Sequence, residues 1–525
     1  MNGFFRYRAA LKYGLRCASA LGTGVLCAAS MQAPQPRSQG ELAEIRRLAD
    51  LGDWKKADDA ATALAARDGT CEAYEMLGRV KDGQRRFDEA EAAYRRAMEL
   101  NPRAGGPYVG LGMSYVQRGR PALALEQFQQ ALAREPANLT ALLNAGSVEL
   151  STSQFAEAEK HYLRAKEVLP NDSIALLGLA TAAFGAGHRD LALATASLLA
   201  SGASPAVRYS LGVLLAKNAL YAEAARQFEA VEQQGASSLE LFVNLGLSYS
   251  ALKRFQDAKA AYFKAVDLNA SDPIPYTRIG ADYLDQKKGS LALAWLFRAV
   301  KLGPAQPEAL FLLGRALLNE EYFQTAQSYL ERYARLRTDD PTGWLLLGDA
   351  FLNDEQPEKA LDSYQKALHL VPRLASAHYL VGNAAYLAKR TEEAKAELRA
   401  ALRIDPSHAE AQLRLGEIAY HENAMAEAAK WFQSVLKSHP DDAEAAYDLA
   451  KVCVRQDQFG EARDLLEKAV SQRPADIRFH YLLSQAHKRL GEDEKSEREW
   501  SLYRTIKSEE EFQHRFIRHS HLYVE

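Results

Sequence analysis

Histidine and acidic residues stand together in two places where they could hold a metal or move a proton. His421-Glu422 begins like the helical motif in which two histidines four residues apart bind zinc and the glutamate between them acts as base. The second histidine would fall at Met425, so the pair lacks its second ligand and reads as a solvated turn after a helix. His514, His519 and His521 lie in a charged C-terminal stretch and read as surface residues. Neither a metal nor any other cofactor is expected. The four cysteines, Cys17, Cys27, Cys71 and Cys453, contain no Cys-x-x-Cys pair. There is no Gly-x-Ser-x-Gly turn for a nucleophile and no Gly-rich loop ending in Gly-Lys for a phosphate. The expectation is a protein that is not an enzyme.

The chemistry on offer is recognition. Tyr379, Tyr386, Tyr420, Tyr447 and Tyr481 combine large apolar area with a hydroxyl, at low cost in side-chain freedom, and residues of this kind dominate binding energy when they cluster. Such residues need regular elements to present them, and the chain supplies a period. Small residues recur at Gly78, Gly112 and Gly146, then at Gly212, Gly246, Gly280, Gly314, Gly348, Gly382 and Gly416, with a spacing of 34 inside each run. Ala450 and Ser484 continue it. Twelve residues after each comes another small residue, as at Ala124, Ala258 and Ala360, and four further on a large apolar one, as at Phe128, Tyr262 and Tyr364. Prolines such as Pro136, Pro372 and Pro440 close the units, because proline disfavours helical geometry in the residue before it.

Trp344, Leu347, Gly348 and Phe351, followed by Ala360, Tyr364, Ala367 and Pro372, make the most complete unit. This pattern resembles the tetratricopeptide repeat, place by place, and the resemblance runs from about Glu41 to Tyr503 in fourteen units, the first incomplete. It implies an all-α fold, a right-handed α-solenoid of about fourteen helix pairs, which functions by binding other proteins or peptides. The physical reason for the pattern is close packing: Gly348 and Ala360 let helices A and B of one unit approach, and the large side chains fill the space around the crossing. A lone pair cannot bury its apolar face, so each pair must stack on its neighbours.

By the same resemblance, helix A lines a concave groove through the residues three before, one after and four after the conserved glycine. In the N-terminal half these are uncharged, for example Met113, Val116, Leu143, Ser147, Leu150, Thr181, Phe184, Tyr209, Val213 and Leu247. Toward the C-terminus tyrosines gather, and Phe311, Leu345, Tyr379, Asn383, Tyr386, Leu413, Tyr420, Tyr447 and Tyr481 are the candidate partner-binding residues. Tyr386 and Tyr420 hold equivalent places one repeat apart, so their rings are expected to form a continuous strip. Two specialised members of the family do not transfer. The asparagine ladder of glycosyltransferase arrays is represented here by Asn144 and Asn244 alone, and the scattered Arg315, Asn383 and Lys451 do not assemble the carboxylate clamp of chaperone-binding arrays.

Of the 525 residues, 47% are apolar and 25% charged, with a formal net charge of −3. That neutral balance argues against a nucleic-acid binder, which shows a basic face. Met1 to about Ser30 is different in kind. Arg6, Arg8, Lys12 and Arg16 precede a weakly apolar run from Cys17 to Ala29, and no acidic residue comes before Glu41. The segment resembles a secretory signal with a cleavage site near Ala28-Ala29-Ser30, which would place the mature protein in a bacterial periplasm or cell envelope. An uncleaved anchor, the one expected route to membrane association, or a mitochondrial presequence remain as alternatives. Residues 31–40 then read as a flexible spacer, 41–204 and 205–503 as two stretches of array, and 504–525 as a capping helix and tail. The division at 204 rests on the fifth unit, where Ala180 takes the glycine place, Ala196 takes the place of the large residue, and the step to Gly212 is 32. Oligomeric state is left open.

Overall fold

The computed structural model describes residues 36–520, with side chains from 39 to 509, so the expected signal lies outside the described residues. Among the described residues twenty-eight α-helices follow one another, from α1 (Pro36–Asp50) and α2 (Trp54–Asp68) to α28 (Asp493–Ser520), and no strand occurs. Odd-numbered helices are the A helices and even-numbered ones the B helices, giving a solenoid of paired helices. Contacts divide the chain between Ala270 and Ser271. The first unit holds α1 to α14 (Phe255–Leu268) and the second α15 (Pro273–Asp285) to α28.

Local chemistry sets each element. The A helices are capped by side chains that accept from the backbone of their first turn, such as Asn138, Asp172, Asp442 and Asp476. Each A helix then ends in a left-handed residue that turns the chain into helix B. Lys253, Lys287, Glu321, Glu355, Lys389, Asn423 and Asp457 adopt φ between 57° and 62° there, at intervals of 34. A side chain in that region costs roughly 1–2 kcal/mol, which packing of the pair offsets. The crossing itself is as tight as the pattern requires. A Cβ added at Gly348 would stand 2.4 Å from the ring of Tyr364, and one at Gly112 2.5 Å from that of Phe128. Both rings are fully buried, as is Ala360.

Between units, the place nineteen residues after the glycine decides the fit. It is alanine in most units, for example Ala131, Ala367 and Ala469, each fully buried. In α18 (Phe323–Leu336) it is Tyr333. This ring is accommodated because α19 (Pro341–Asn353) has Gly343 opposite, where a Cβ would lie 2.6 Å from it.

Both ends depart from the expected boundaries. The first pair is complete, because α1 takes in Pro36–Gly40, five residues assigned to the spacer from composition. At the other end no separate capping helix forms. α28 runs unbroken for 28 residues, because no glycine or proline between Asp493 and Ser520 stops it.

The fifth pair is thin. α10 (Arg189–Ala200) has 12 residues, two fewer than the usual B helix, and places Ala196 where other units put an aromatic ring or a leucine. The buried Thr195 hydroxyl finds no partner among the described residues. Within the first unit α10 makes the sparsest contact with its successor, and α11 (Pro205–Lys217) leans on α9 (Ser173–Ala186) instead. The link from Ser201 to Ser204 passes through Gly202 at φ 78°. Thin packing opens first, so amides of residues 185–205 should exchange faster than those of α8 (Phe155–Val168) or α13 (Leu239–Ala251), as hydrogen exchange can measure. Equal protection across these segments would show that the fifth pair is no hinge.

Candidate partner-binding groove

In the second unit, consecutive A helices lie side by side. α21 (Ala375–Leu387) touches α23 (Ala409–His421), α23 touches α25 (Ala443–Arg455), and α25 touches α27 (Ile477–Arg489). Their free faces form one wall. Tyr386, Tyr420 and Tyr447 are half-buried on it. Leu413, Tyr420, Tyr447 and Val454 rest on the buried cluster that includes Phe432, Leu449 and Leu466.

The tyrosines are not a continuous strip of rings, because cations lie between them. Arg414 sits over Tyr386 at 5.2 Å, and Lys451 and Arg455 over Tyr420 at 4.9 and 5.1 Å. Lys451 also reaches Tyr447 at 5.4 Å, and Arg478 covers the same ring at 5.2 Å. Arg455 Nε donates to the Tyr420 hydroxyl at 3.2 Å. Most of these cations are tethered in turn: Arg414 to Glu417, Lys451 to Asp448 at 2.8 Å, and Arg478 to Glu444 at 2.8 Å and Asp476 at 2.7 Å. Burial alone would lower the Lys451 ammonium, but Asp448 outweighs it and holds the group above its ordinary range. The result is a lattice of alternating rings and charges with side chains held in place before any partner arrives.

Other candidates fall elsewhere. Phe311, on α17 (Pro307–Asn319), is 8% exposed and packs on Tyr333 with ring centres 5.1 Å apart, so most of its surface is spent inside the array. Asn383 is equally buried, and its Oδ1 has no hydrogen-bond partner among the described residues. Leu345 is half-buried, and Tyr379 is half-buried beside His408 at 5.2 Å. Tyr481 is 42% exposed and joins Trp500 and Tyr503, at 6.0 and 5.5 Å, in an aromatic group of its own. The cations of the wall escape a search at period 34, since Arg414, Lys451 and Arg478 occupy three different places of their units. Spacing therefore shows the rings but not what stands between them. His421, the last residue of α23, lies 4.0 Å from Glu417, and the side chains of His514, His519 and His521 lie outside the described residues.

Family models of the tetratricopeptide repeat match residues 72–103, 109–173 and 239–272, then 311–375, 345–409, 379–443 and 419–486 in overlapping windows. The chain belongs to the tetratricopeptide repeat family. Arrays of this family are scaffolds for protein interaction. Among curated relatives, the Protein CTR9 homolog of Arabidopsis thaliana is 27% identical over 164 residues, 29% of this chain and 15% of that protein. The BBSome complex member BBS4 of Bos taurus is 27% identical over 205 residues, 38% and 39% of the two chains. The Type IV pilus assembly protein PilF of Pseudomonas aeruginosa is 24% identical over 200 residues, 37% of this chain and 79% of that one. This chain thus spans well under half the length of the first two.

Burial raises two carboxylates of the second unit above their ordinary range, Asp448 on α25 and Asp349 on α19. Asp349 on α19 accepts from the Tyr364 hydroxyl at 2.6 Å, yet burial outweighs that bond and raises its carboxyl above the ordinary range. A raised folded value means that the ionised form opposes folding. The penalty is absent below the unfolded value of about 3.9 and grows as pH rises through the folded one. Asp349→Asn keeps an acceptor for Tyr364 and removes the charge. Its thermal midpoint should exceed that of the parent by on the order of 2 °C or more at pH 7, and the gain should vanish toward pH 4. A gain independent of pH would show that Asp349 is not the titrating group.

Proposed function

We propose that this tetratricopeptide array is a non-enzymatic scaffold or adaptor that holds a partner peptide or helix on the A-helix wall of its second unit. The supporting observation is the lattice of Tyr386, Tyr420 and Tyr447 with Arg414, Lys451, Arg455 and Arg478. Rings held between tethered cations offer a partner flat apolar area and charge together, while little side-chain freedom remains to be lost on binding. Replacing both Tyr386 and Tyr420 with serine is expected to weaken partner binding by on the order of 2–4 kcal/mol. The thermal midpoint should move little. The partner is the protein recovered stoichiometrically in a pull-down from native envelope. A large loss of stability, with binding by the remaining folded fraction unchanged, would assign both rings to the core and overturn this reading.

The site of action follows from the N-terminal segment. Its basic start and small-residue site favour export, and the likeness to a protein named for pilus assembly points toward the bacterial envelope. No helix among the described residues is long and apolar enough to cross a membrane. The natively produced protein is expected to begin near residue 31, as N-terminal sequencing would show. An intact Met1 on protein isolated from the cytoplasm would refute export. A second reading, a chaperone-like binder of apolar client segments, is favoured by one feature of the first unit, the uncharged wall of its A helices.

A further inference from the structure

The first unit has an A-helix wall of different chemistry. α5 (Gly106–Gln117), α7 (Leu139–Ser151), α9, α11 and α13 touch in succession, as A helices do in the second unit. Three places on each of these five helices face the groove by the family pattern, and none carries a charged side chain. Val116 is 44% exposed there, Ser147 is exposed, and Leu150, Phe184, Val213 and Leu247 are half-buried. Two polar groups of these helices are paired within the array: Thr181 donates to the Leu177 carbonyl at 2.7 Å and Asn244 to the Tyr209 hydroxyl at 2.9 Å. The charged side chains of these five helices stand at other places, Glu149, Arg208, Lys217 and Glu240, and the first charge at an equivalent place is Arg79 on α3 (Cys71–Gly83). In the second unit the place after the conserved small residue holds Arg315, Asp349, Glu417 and Lys451.

We propose that this wall is a second docking surface, and that its occupant is an uncharged apolar helix of the kind that spans a membrane. The inference rests on the chain being a holder of other proteins and not on the tyrosine lattice. Charge complementarity selects the occupant. A charged side chain pressed onto the wall would lose its hydration and gain no counter-charge. An apolar segment loses nothing and gains burial. Length agrees as well. Five neighbouring helices at packing distances of ~8–10 Å extend over ~40 Å, the length of a helix of ~25 residues and close to the ~20 needed to cross a bilayer. Such a wall can shield a membrane-destined segment of a client.

The test uses the full chain and two labelled helical peptides of about 20 Leu, Ala and Val residues with lysines only at their tips. One is uncharged between the tips, and the other carries a central Lys-Glu pair. Fluorescence anisotropy should show the uncharged peptide binding at least tenfold more tightly. Val116→Asp with Ser147→Asp, both at exposed places, should remove that preference while circular dichroism and thermal midpoint stay unchanged. Val116→Ala with Ser147→Ala should preserve the preference, and so should the Tyr386→Ser, Tyr420→Ser variant, which separates this surface from the one in the second unit. Equal affinity for the two peptides, indifference to the paired aspartates, or loss of the preference in the tyrosine variant would each overturn the proposal.

Discussion

The contact between the backbone of a glycine on helix A and a large side chain on helix B, a ring or a leucine, underlies the rest of this molecule. At Gly348, Gly112 and Gly416 the ring of Tyr364, Phe128 or Phe432 occupies the volume a side chain would need, with 2.4–2.5 Å left to a hypothetical Cβ. Contact this close fixes the crossing of the pair, because both partners would have to shift together to accommodate a single methyl group. It also fixes which face of helix A is spent on its own unit. The opposite face is left to meet the previous A helix on one flank, the next on the other, and solvent in between. A groove is thus a by-product of the crossing. Where the contact is missing, in the pair with Ala180 and Ala196, the B helix is shorter and the link to the following unit thins.

Period and residue type together made the helix pairs readable. Each unit repeats the same steric solution, and a glycine, an alanine and a ring that recur in phase at fixed offsets fit little besides a close helix crossing. The ends were harder to read for a related reason, since a terminal unit lacks one neighbour and loses part of its pattern. Residues 36–40 looked like spacer because their Pro, Ser and Gly content is that of a loop, yet they are helical. Tyr503 looked like the last residue of a pair because every earlier pair stops near that place, while nothing in the local sequence stops α28.

The candidate site was readable only in part. The rings of Tyr386, Tyr420 and Tyr447 are half-buried, whereas Phe311, in the register of Tyr447, and Asn383, also read as a groove residue, are buried. Register states which way a side chain leaves the backbone, whereas exposure depends on what the neighbouring helix sends to meet it. For Phe311 that is Tyr333, a tyrosine at a place most units give to alanine. The interleaved cations follow no period. Arg414 comes from two residues before its glycine, Lys451 from one after its alanine, and Arg478 from the start of its helix. They converge only because neighbouring A helices run side by side.

Tyr333 and Gly343 bear on how a chain like this can have grown. Repeat arrays lengthen by copying one unit beside itself, which works when every seam between units is alike. The seam between α18 and α19 is not. A copy of α17 and α18 inserted behind the original would set Tyr333 against Ala309, whose methyl group stands where α19 has only hydrogen. The four helices α17 to α20 (Pro357–Leu370) therefore have to be inherited as one block. Tyr333 thus closes this point of the chain to duplication of the single pair.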